Sequence, residues 1–394
     1  MRAVHVAYAY FPADPRIRRE VDALRAAGHE VDVLCLRAEG ESPSESIRGT
    51  CVTRVPLTAR RGGRLRYTFQ YCMFFLLSAI FISILHRRRR FDVVHIHSLP
   101  DFQVFCSLLL KLHGVRVILD LHEALPEIVA SRFRTNERAP FVRLATLAER
   151  VSVLFADEVI TVNDAIGKLL VDRAGRGTNI TVVMNSPDLS VLRLADAASL
   201  KRRLGLNSDF IVVYVGGINP ERDLPTLIRA VADLRRRHSI QAVIAGYGDA
   251  KYIESLKMLA NTLRLSDSVL FLPRIPQEEV LTYLALSSFG VICYEDNPLT
   301  RVAIPTKIFE YAAVGKPLAV ARLQALAELF DGAAEFFHAG DAIDLVAAIE
   351  RLLQDRKNAD RLVQRAAAVL ARCSWDIMKQ RLLSVYERIG RVAG

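Results

Sequence analysis

The chain has 394 residues, a formal net charge of +10, and a composition that is 51% hydrophobic and 24% charged. That length exceeds one ordinary hydrophobic core and that composition excludes a disordered chain, so two folded domains are expected. The six cysteines, Cys35, Cys51, Cys72, Cys106, Cys293 and Cys373, include no CxxC pair, which argues against a disulfide framework or a zinc finger and fits reduced thiols in the cytoplasm.

The N-terminal MRAVHVAYAY is too short for a signal-peptide core and reads as a first strand, Ala3–Ala9. PRIRREVDALRAAGH follows with apolar residues at helical spacing and an Ala-Gly-His stop, and Glu30–Cys35 reads as the next strand. Further strands are expected at Val93–His97, Arg116–Leu121, Glu158–Val162 and Ile180–Met184. This rhythm implies a parallel sheet covered by helices on both faces. It pauses near Asn185 and restarts with Phe210–Val215, Ile240–Ala245, Val269–Leu272, Gly290–Cys293, Pro317–Val320 and Ala334–Phe337. The expected architecture is α/β: two Rossmann-like doubly wound domains facing across a cleft, residues 1–185 and 186–372, with a last helix over 373–394. Ligands of such sheets bind beyond the carboxyl ends of the strands.

One segment departs from the rhythm. Residues 46–91 contain no Asp or Glu but ten Arg, among them Arg60, Arg61, Arg64, Arg66, Arg87, Arg88, Arg89 and Arg90. Between the two Arg groups lies YCMFFLLSAIFISIL, an apolar run 15 residues long, short of the ~20 that a spanning helix needs. Apolarity and positive charge together read as a helix in the surface of an anionic membrane over 60–90; the alternative is a buried crossover helix with a solvated basic end. Nucleic acid is not an expected partner, because no reading motif accompanies the charge.

Two segments carry chemistry. In YVGGINPERDLPTLIRAV a strand ends in Gly216-Gly217, and Arg222 precedes a helix. Glycines admit a ligand to the backbone, a helix start favours an anion, and a guanidinium can grip phosphate. In NPLTRVAIPTKIFEYAAVGKPLAVA, Lys307 and Glu310 share one face of a helix near its start. A carboxylate can accept from the two hydroxyls of a ribose, and a lysine beside it can neutralise phosphate. Alone, either segment also reads as an ordinary βα turn or a surface ion pair.

IPTKIFEYAAVGKPL resembles the donor motif of glycosyltransferase family 4, in the subgroup with PxKxFEYxAxGxP. YVGGINPERDLPTLIRA, AGYGDAKYIESL, FPADPRIRREVDALRAAGHEVDVL, DLHEALPEIV and VVMNSPD are similar to the same family, in order and over nearly the whole chain. The resemblance implies the GT-B fold, a nucleotide-diphosphate sugar (UDP or GDP) as co-substrate, no other cofactor, and retention of anomeric configuration. It implies that Glu310 binds the ribose; that Arg222 and Lys307 hold the pyrophosphate with Gly216 and Gly217; that Gly246 belongs to a second glycine turn; and that Arg274 and Ile275 border the base. His122 matches the histidine near the transferred sugar, and Asp14, Arg16 and Arg19 lie in or beside the acceptor-side loop. Two departures stand out: Val302 replaces the first Glu of an E-x7-E pair, and Gly217 replaces an arginine of the glycine-rich loop. Contacts to the sugar hydroxyls are then expected from backbone near Leu299–Ala303.

No DxD motif stands at a strand end, so no metal is expected, and His95 and His97 read as packing or surface residues for want of a third ligand. The expected function is retaining transfer of a sugar to a lipid-linked glycan in cell-surface polysaccharide or glycolipid synthesis. The expected place is the inner face of the cytoplasmic membrane. The alternatives are a GT-B enzyme with a soluble acceptor, a nucleotide-sugar epimerase, or an inactive binding subunit.

Overall fold

The computed structural model describes residues 1–59, 64–136, 138–175, 177–187 and 196–392, with the main chain alone at 64, 65, 67 and 392. The chain divides into two compact units, Met1–Asn185 with Asp376–Gly394, and Ser186–Trp375.

The first unit runs β1 (Arg2–Ala7), α1 (Pro15–Ala26), β2 (Glu30–Leu36), β3 (Ser44–Ile47), β4 (Thr50–Val55), α2 (Arg64–Arg89), β5 (Val93–His97), α3 (Leu108–Leu112), β6 (Arg116–Leu121), α4 (Leu125–Arg132), α5 (Pro140–Phe155), β7 (Glu158–Thr161), α6 (Asp164–Ala174) and β8 (Ile180–Val182). Its sheet has the order β3-β4-β2-β1-β5-β6-β7-β8. All neighbours are parallel except β3 with β4. The order reverses between β1 and β5, which makes the carboxyl ends of those strands a switch point. β1 and β5 are almost wholly buried, as strands covered on both faces must be.

The β3–β4 hairpin was not among the expected strands. Arg48 and Gly49 turn it with φ of 50° and 80°, the sign that a two-residue hairpin turn needs. Arg54, its side chain 1% exposed, ties the hairpin to Glu41 and Glu45 at 3.0 and 2.6 Å. Arg54 is therefore a buried structural cation, although it stands in the arginine-rich segment.

α2 is longer than its apolar run. It covers 26 residues, of which Thr68–Arg89 is long and apolar enough to cross a membrane. It nevertheless connects β4 to β5, two strands of one parallel sheet. Gln70, Phe74, Ser78 and Ile82 form a buried stripe, and Leu76, Ile80 and Ile84 an exposed apolar one. Arg66, Arg87, Arg88 and Arg90 are exposed. Arg89 is a correction to the lipid-facing set: its guanidinium lies 2.9 Å from Asp32 on β2. Arg60 and Arg61 lie outside the described residues, as does the side chain of Arg64.

The second unit runs α7 (Ala197–Arg203), β9 (Phe210–Ile218), α8 (Leu224–Leu234), β10 (Ile240–Gly248), α9 (Ala250–Thr262), β11 (Val269–Leu272), α10 (Val280–Ala285), β12 (Gly290–Ile292), α11 (Pro298–Val302), α12 (Thr306–Ala313), β13 (Leu318–Ala321), α13 (Gln324–Leu329), β14 (Glu335–Phe337), α14 (Ala342–Gln354) and α15 (Arg356–Arg372). Two parallel three-stranded sheets, β11-β10-β9 and β12-β13-β14, meet at β9 and β12. Serines stitch that seam: Ser288 N donates to Ile211 O at 2.7 Å, and Val213 N donates to Ser287 Oγ at 3.1 Å. This is the doubly wound order, with its switch point at the seam. The chain ends in α16 (Trp375–Val392), whose Tyr386 and Arg388 pack into the first unit.

Candidate functional site

In the second unit the expected donor residues converge at the carboxyl ends of β9 and β10. The two strands run side by side to their glycines, Gly216 paired with Gly246. Gly216 has φ +145° and Gly246 φ +159°, and a Cβ on Gly246 would fall 1.8 Å from Gly216 O. Only glycine permits that approach. Gly217 follows, its carbonyl accepting from Tyr214 Oη at 2.6 Å.

Lys307, on the first turn of α12, reaches this loop: a Cβ on Gly216 would stand 3.0 Å from its Nζ. The ammonium is buried, has no hydrogen-bond partner, and sits 3.5 Å from the centroid of the Tyr214 ring. Burial first, then the neighbouring Arg222, holds the Lys307 amine well below its ordinary range, with Glu310 opposing. Burial pushes the Glu310 carboxyl up, and Lys307 moderates that. Arg222 ends a short 3-10 turn, Pro220–Arg222, and stacks 4.6 Å over Tyr294. Arg274 stacks 5.2 Å over Tyr247, an exposed ring beside the glycine loops, with Ile275 half-buried next to it. Two cations, Arg222 and Lys307, beside a floor of glycine main chain form an anion-binding arrangement. The sequence reading missed Tyr214, Tyr294 and Tyr247, the rings on which these cations rest.

In the first unit, a cavity of about 180 Å³ opens at the switch point between β1 and β5, lined by Tyr8, Arg16, His97, His122 and Glu123 among others. Arg16 is held by Asp14, whose carboxylate accepts from its Nη2 at 2.7 Å and also caps α1. Asp14 thus positions Arg16. Arg19 turns elsewhere, to Asn185 Oδ1 at 2.9 Å.

Behind His122 lies a polar network that the sequence did not announce. His97 Nδ1 is 3.0 Å from Asp120 Oδ2, and His122 Nε2 is 3.2 Å from the same oxygen. His97 Nε2 faces His5 Nδ1 at 2.9 Å; His5 Nε2 and His95 Nδ1 reach Tyr386 Oη at 3.2 and 3.0 Å. His95 and His97 are buried, which keeps the packing half of the sequence reading and removes the surface half, and His5 and Glu20 join them. Burial alone would push the Asp120 carboxyl up, but His122, then His95 and His97, hold it well below the carboxylate range. Burial lowers His97 to about 4 and His5 well below its ordinary value, so both rings are neutral. As an ionised acceptor, Asp120 takes N–H bonds from His97 and His122 and so fixes the tautomer and ring plane of His122.

Two family descriptions match the chain: Glycosyl transferase 4-like domain over residues 13–186, and Glycosyl transferases group 1 over residues 196–369. Among curated proteins, the D-inositol 3-phosphate glycosyltransferase of Thermomonospora curvata is 26% identical over 385 residues, 92% of this chain and 87% of that protein. Its counterpart in Acidothermus cellulolyticus is 27% identical over 308 residues, 75% and 67% of the two chains. Among solved structures, sucrose-phosphate synthase from Thermosynechococcus elongatus superposes with a TM-score of 0.81 at 17% identity, over 100% of both chains. Anabaena HepE in complex with UDP and glucose superposes with a TM-score of 0.73 at 16% identity, over 98% of this chain and 100% of that one.

Proposed function

Because the chain belongs to the family-4-type glycosyltransferases, with two Rossmann-like domains of GT-B type, we propose that it moves a sugar from a nucleoside-diphosphate sugar with retention of configuration. The observation that carries this reading is Lys307: a buried ammonium without a hydrogen-bond partner, aimed at a glycine floor, beside a second cation. A diphosphate supplies the anion that this ammonium lacks. Arg222, Lys307 and the N–H groups near Gly216 and Gly217 stabilise the charge released when the sugar–phosphate bond breaks, without a divalent cation at that point. Glu310 takes the ribose hydroxyls, and Arg274 with Ile275 and Tyr247 border the base. UDP leads among the nucleotides, since the HepE structures hold UDP, with GDP next. The family resemblance assigns His122, held by Asp120, to the transferred sugar and Arg16 to the acceptor side.

The acceptor we propose is a lipid-linked glycan at an anionic membrane surface. α2, α3 and α5 pack around one 3-10 segment, Asp101–Ser107, and expose Ile80 and Ile84, Leu109 and Leu112, and Leu144 and Leu154. Arg87 and Arg88 add charge at the end of α2. Such a face suits the headgroup boundary of a cytoplasmic leaflet. A soluble phosphorylated polyol is the second reading, favoured by the acceptor that the curated relatives' name states.

A thermal-shift screen against UDP, GDP, ADP and their sugar conjugates tests the donor site. One nucleotide family should raise the melting temperature. Folded protein that ignores all of them would refute it. Transfer of labelled sugar into a lipid extract, but not to an inositol phosphate, supports the lipid acceptor; the reverse selects the soluble one.

A further inference from the structure

The enclosed histidines have a geometry that a hydrogen-bond network alone does not complete. The histidines stand side by side on parallel strands: His5 on β1 is the register partner of His95 on β5, and His97 lies two residues on, on the same face. Glu20 comes in from α1, and one donor atom from each of the four lies within 4.8 Å of the others. Each histidine has its outer nitrogen tethered: His97 Nδ1 by Asp120 Oδ2, and His5 Nε2 and His95 Nδ1 by Tyr386 Oη. The inner atoms are then His5 Nδ1, His95 Nε2, His97 Nε2 and Glu20 Oε2.

As a pure network, the protons run one way. Asp120 accepts from His97 Nδ1–H, so His97 Nε2 accepts from His5 Nδ1–H. His5 Nε2 then accepts from Tyr386 O–H, whose oxygen accepts from His95 Nδ1–H. The chain ends on a bare lone pair at His95 Nε2. That atom and Glu20 Oε2 are both buried and without a partner, 3.8 Å apart. With Glu20 ionised, these two acceptors, and Asp120 Oδ2 at 3.7 Å from His95 Nε2, need something positive between them: a metal ion or, since burial pushes the Glu20 carboxyl well up, a proton.

We infer that His5, His95, His97 and Glu20 form a binding site for a divalent transition metal ion, with zinc the best fit. Three imidazoles and one carboxylate are a zinc donor set, and bonds of about 2.0–2.2 Å place donor atoms about 3.3–3.5 Å apart. The two inner separations, 2.9 Å for His5 to His97 and 3.8 Å for His95 to Glu20, bracket that spacing. With a metal bound, His5 carries its proton on Nε2. Tyr386 Oη then accepts from His5 and His95 with its two lone pairs, and Asp120 accepts from His97. Every outer nitrogen keeps an acceptor, the support that metal-bound imidazoles have. The site clamps α1, β1, β5 and, through Tyr386, α16, and reaches His122 through Asp120. It lies in the first unit, apart from the diphosphate residues of the second.

The full chain, purified through a tag without histidine and dialysed, is analysed for metals by mass spectrometry; about one zinc per chain is expected. Stripped protein reloaded with cobalt should show the visible absorption of tetrahedral Co²⁺. E20Q should retain at least tenfold less metal after the same dialysis; full retention would remove Glu20 from the ligand set and overturn the site as drawn. If E20Q fails to fold, the wild-type cobalt spectrum decides. Folded wild-type protein with below about 0.1 equivalent of any transition metal, and no spectral or melting change with zinc or cobalt, overturns the inference. That result assigns the Glu20–His95 gap to a proton.

Discussion

Replacing Lys307 with methionine separates a binding role from a structural one, because the two predict opposite signs. In the free protein Lys307 is 8% exposed, and its Nζ is buried, makes no hydrogen bond and rests on the face of Tyr214. An unsatisfied buried donor costs about 1–3 kcal/mol. The cation–π contact offsets about 0.5–2 kcal/mol of that. Methionine has a similar length and no charge, and its thioether packs well against an aromatic ring. Subtracting the two ranges leaves a net change between about 1 kcal/mol against the variant and about 2.5 kcal/mol in its favour, so the melting temperature should stay within about 4 °C of the wild type or rise above it. Affinity for the nucleoside diphosphate moves the other way. Loss of one charge-assisted contact of about 1.5–3 kcal/mol weakens binding about 10- to 150-fold. Differential scanning fluorimetry and isothermal titration calorimetry on the same preparations read both quantities. A variant that melts well below the wild type yet keeps its affinity would show that Lys307 holds the fold together, and the anion site would have to be abandoned.

Three further outcomes follow from the same geometry. Burial and Arg222 hold the Lys307 amine low, and a diphosphate beside it favours the charged form, so its pKa rises on binding and any fraction of the amine that is neutral in the free protein takes up a proton. Calorimetry in buffers of different ionisation enthalpy detects that uptake; its persistence in the methionine variant would assign the proton to another group. His122→Ala should lower turnover about 100-fold or more while leaving diphosphate affinity within about twofold, since His122 lies in the other unit from the phosphate residues; unchanged turnover would remove His122 from the site. The triple change Leu76→Ser, Ile80→Ser, Ile84→Ser alters only exposed positions, so it should keep the fold and reduce co-sedimentation with anionic vesicles. Equal co-sedimentation would refute the lipid-facing role of α2.

What was legible in the sequence is what depends on neighbours along the chain. Strand positions were readable because a doubly covered strand is a continuous apolar run bounded by polar turns. The residues proposed for the donor could be singled out because Gly216, Gly217 and Arg222 lie within seven positions, and Lys307 and Glu310 lie on one helical turn. Only the apolar run of α2 was weighed against a bilayer span, because arginines bound it; arginine is a good helix former with a long apolar stem, so the helix continues through Arg89.

The aromatic floors Tyr214 and Tyr294 could not be singled out, since each sits at the edge of an apolar run and looks like core until a cation is seen above it. The histidine network was invisible for a stronger reason. His5 and Tyr386 are 381 positions apart, and no spacing rule reaches that far. Strand pairing puts His5 beside His95 and Asp120 beside His97, and pairing is fixed by the hydrophobic register of the whole sheet rather than by the histidines. A signal was nevertheless present: three histidines in a neutral, strand-forming context, His5, His95 and His97, each at a position whose neighbours along the strand are buried. A polar side chain in such a run must find a partner across the sheet. Asking which partner each would meet, once the strand order was assumed, leads from His97 to Asp120, and from Asp120 to His122 at the mouth of the cavity.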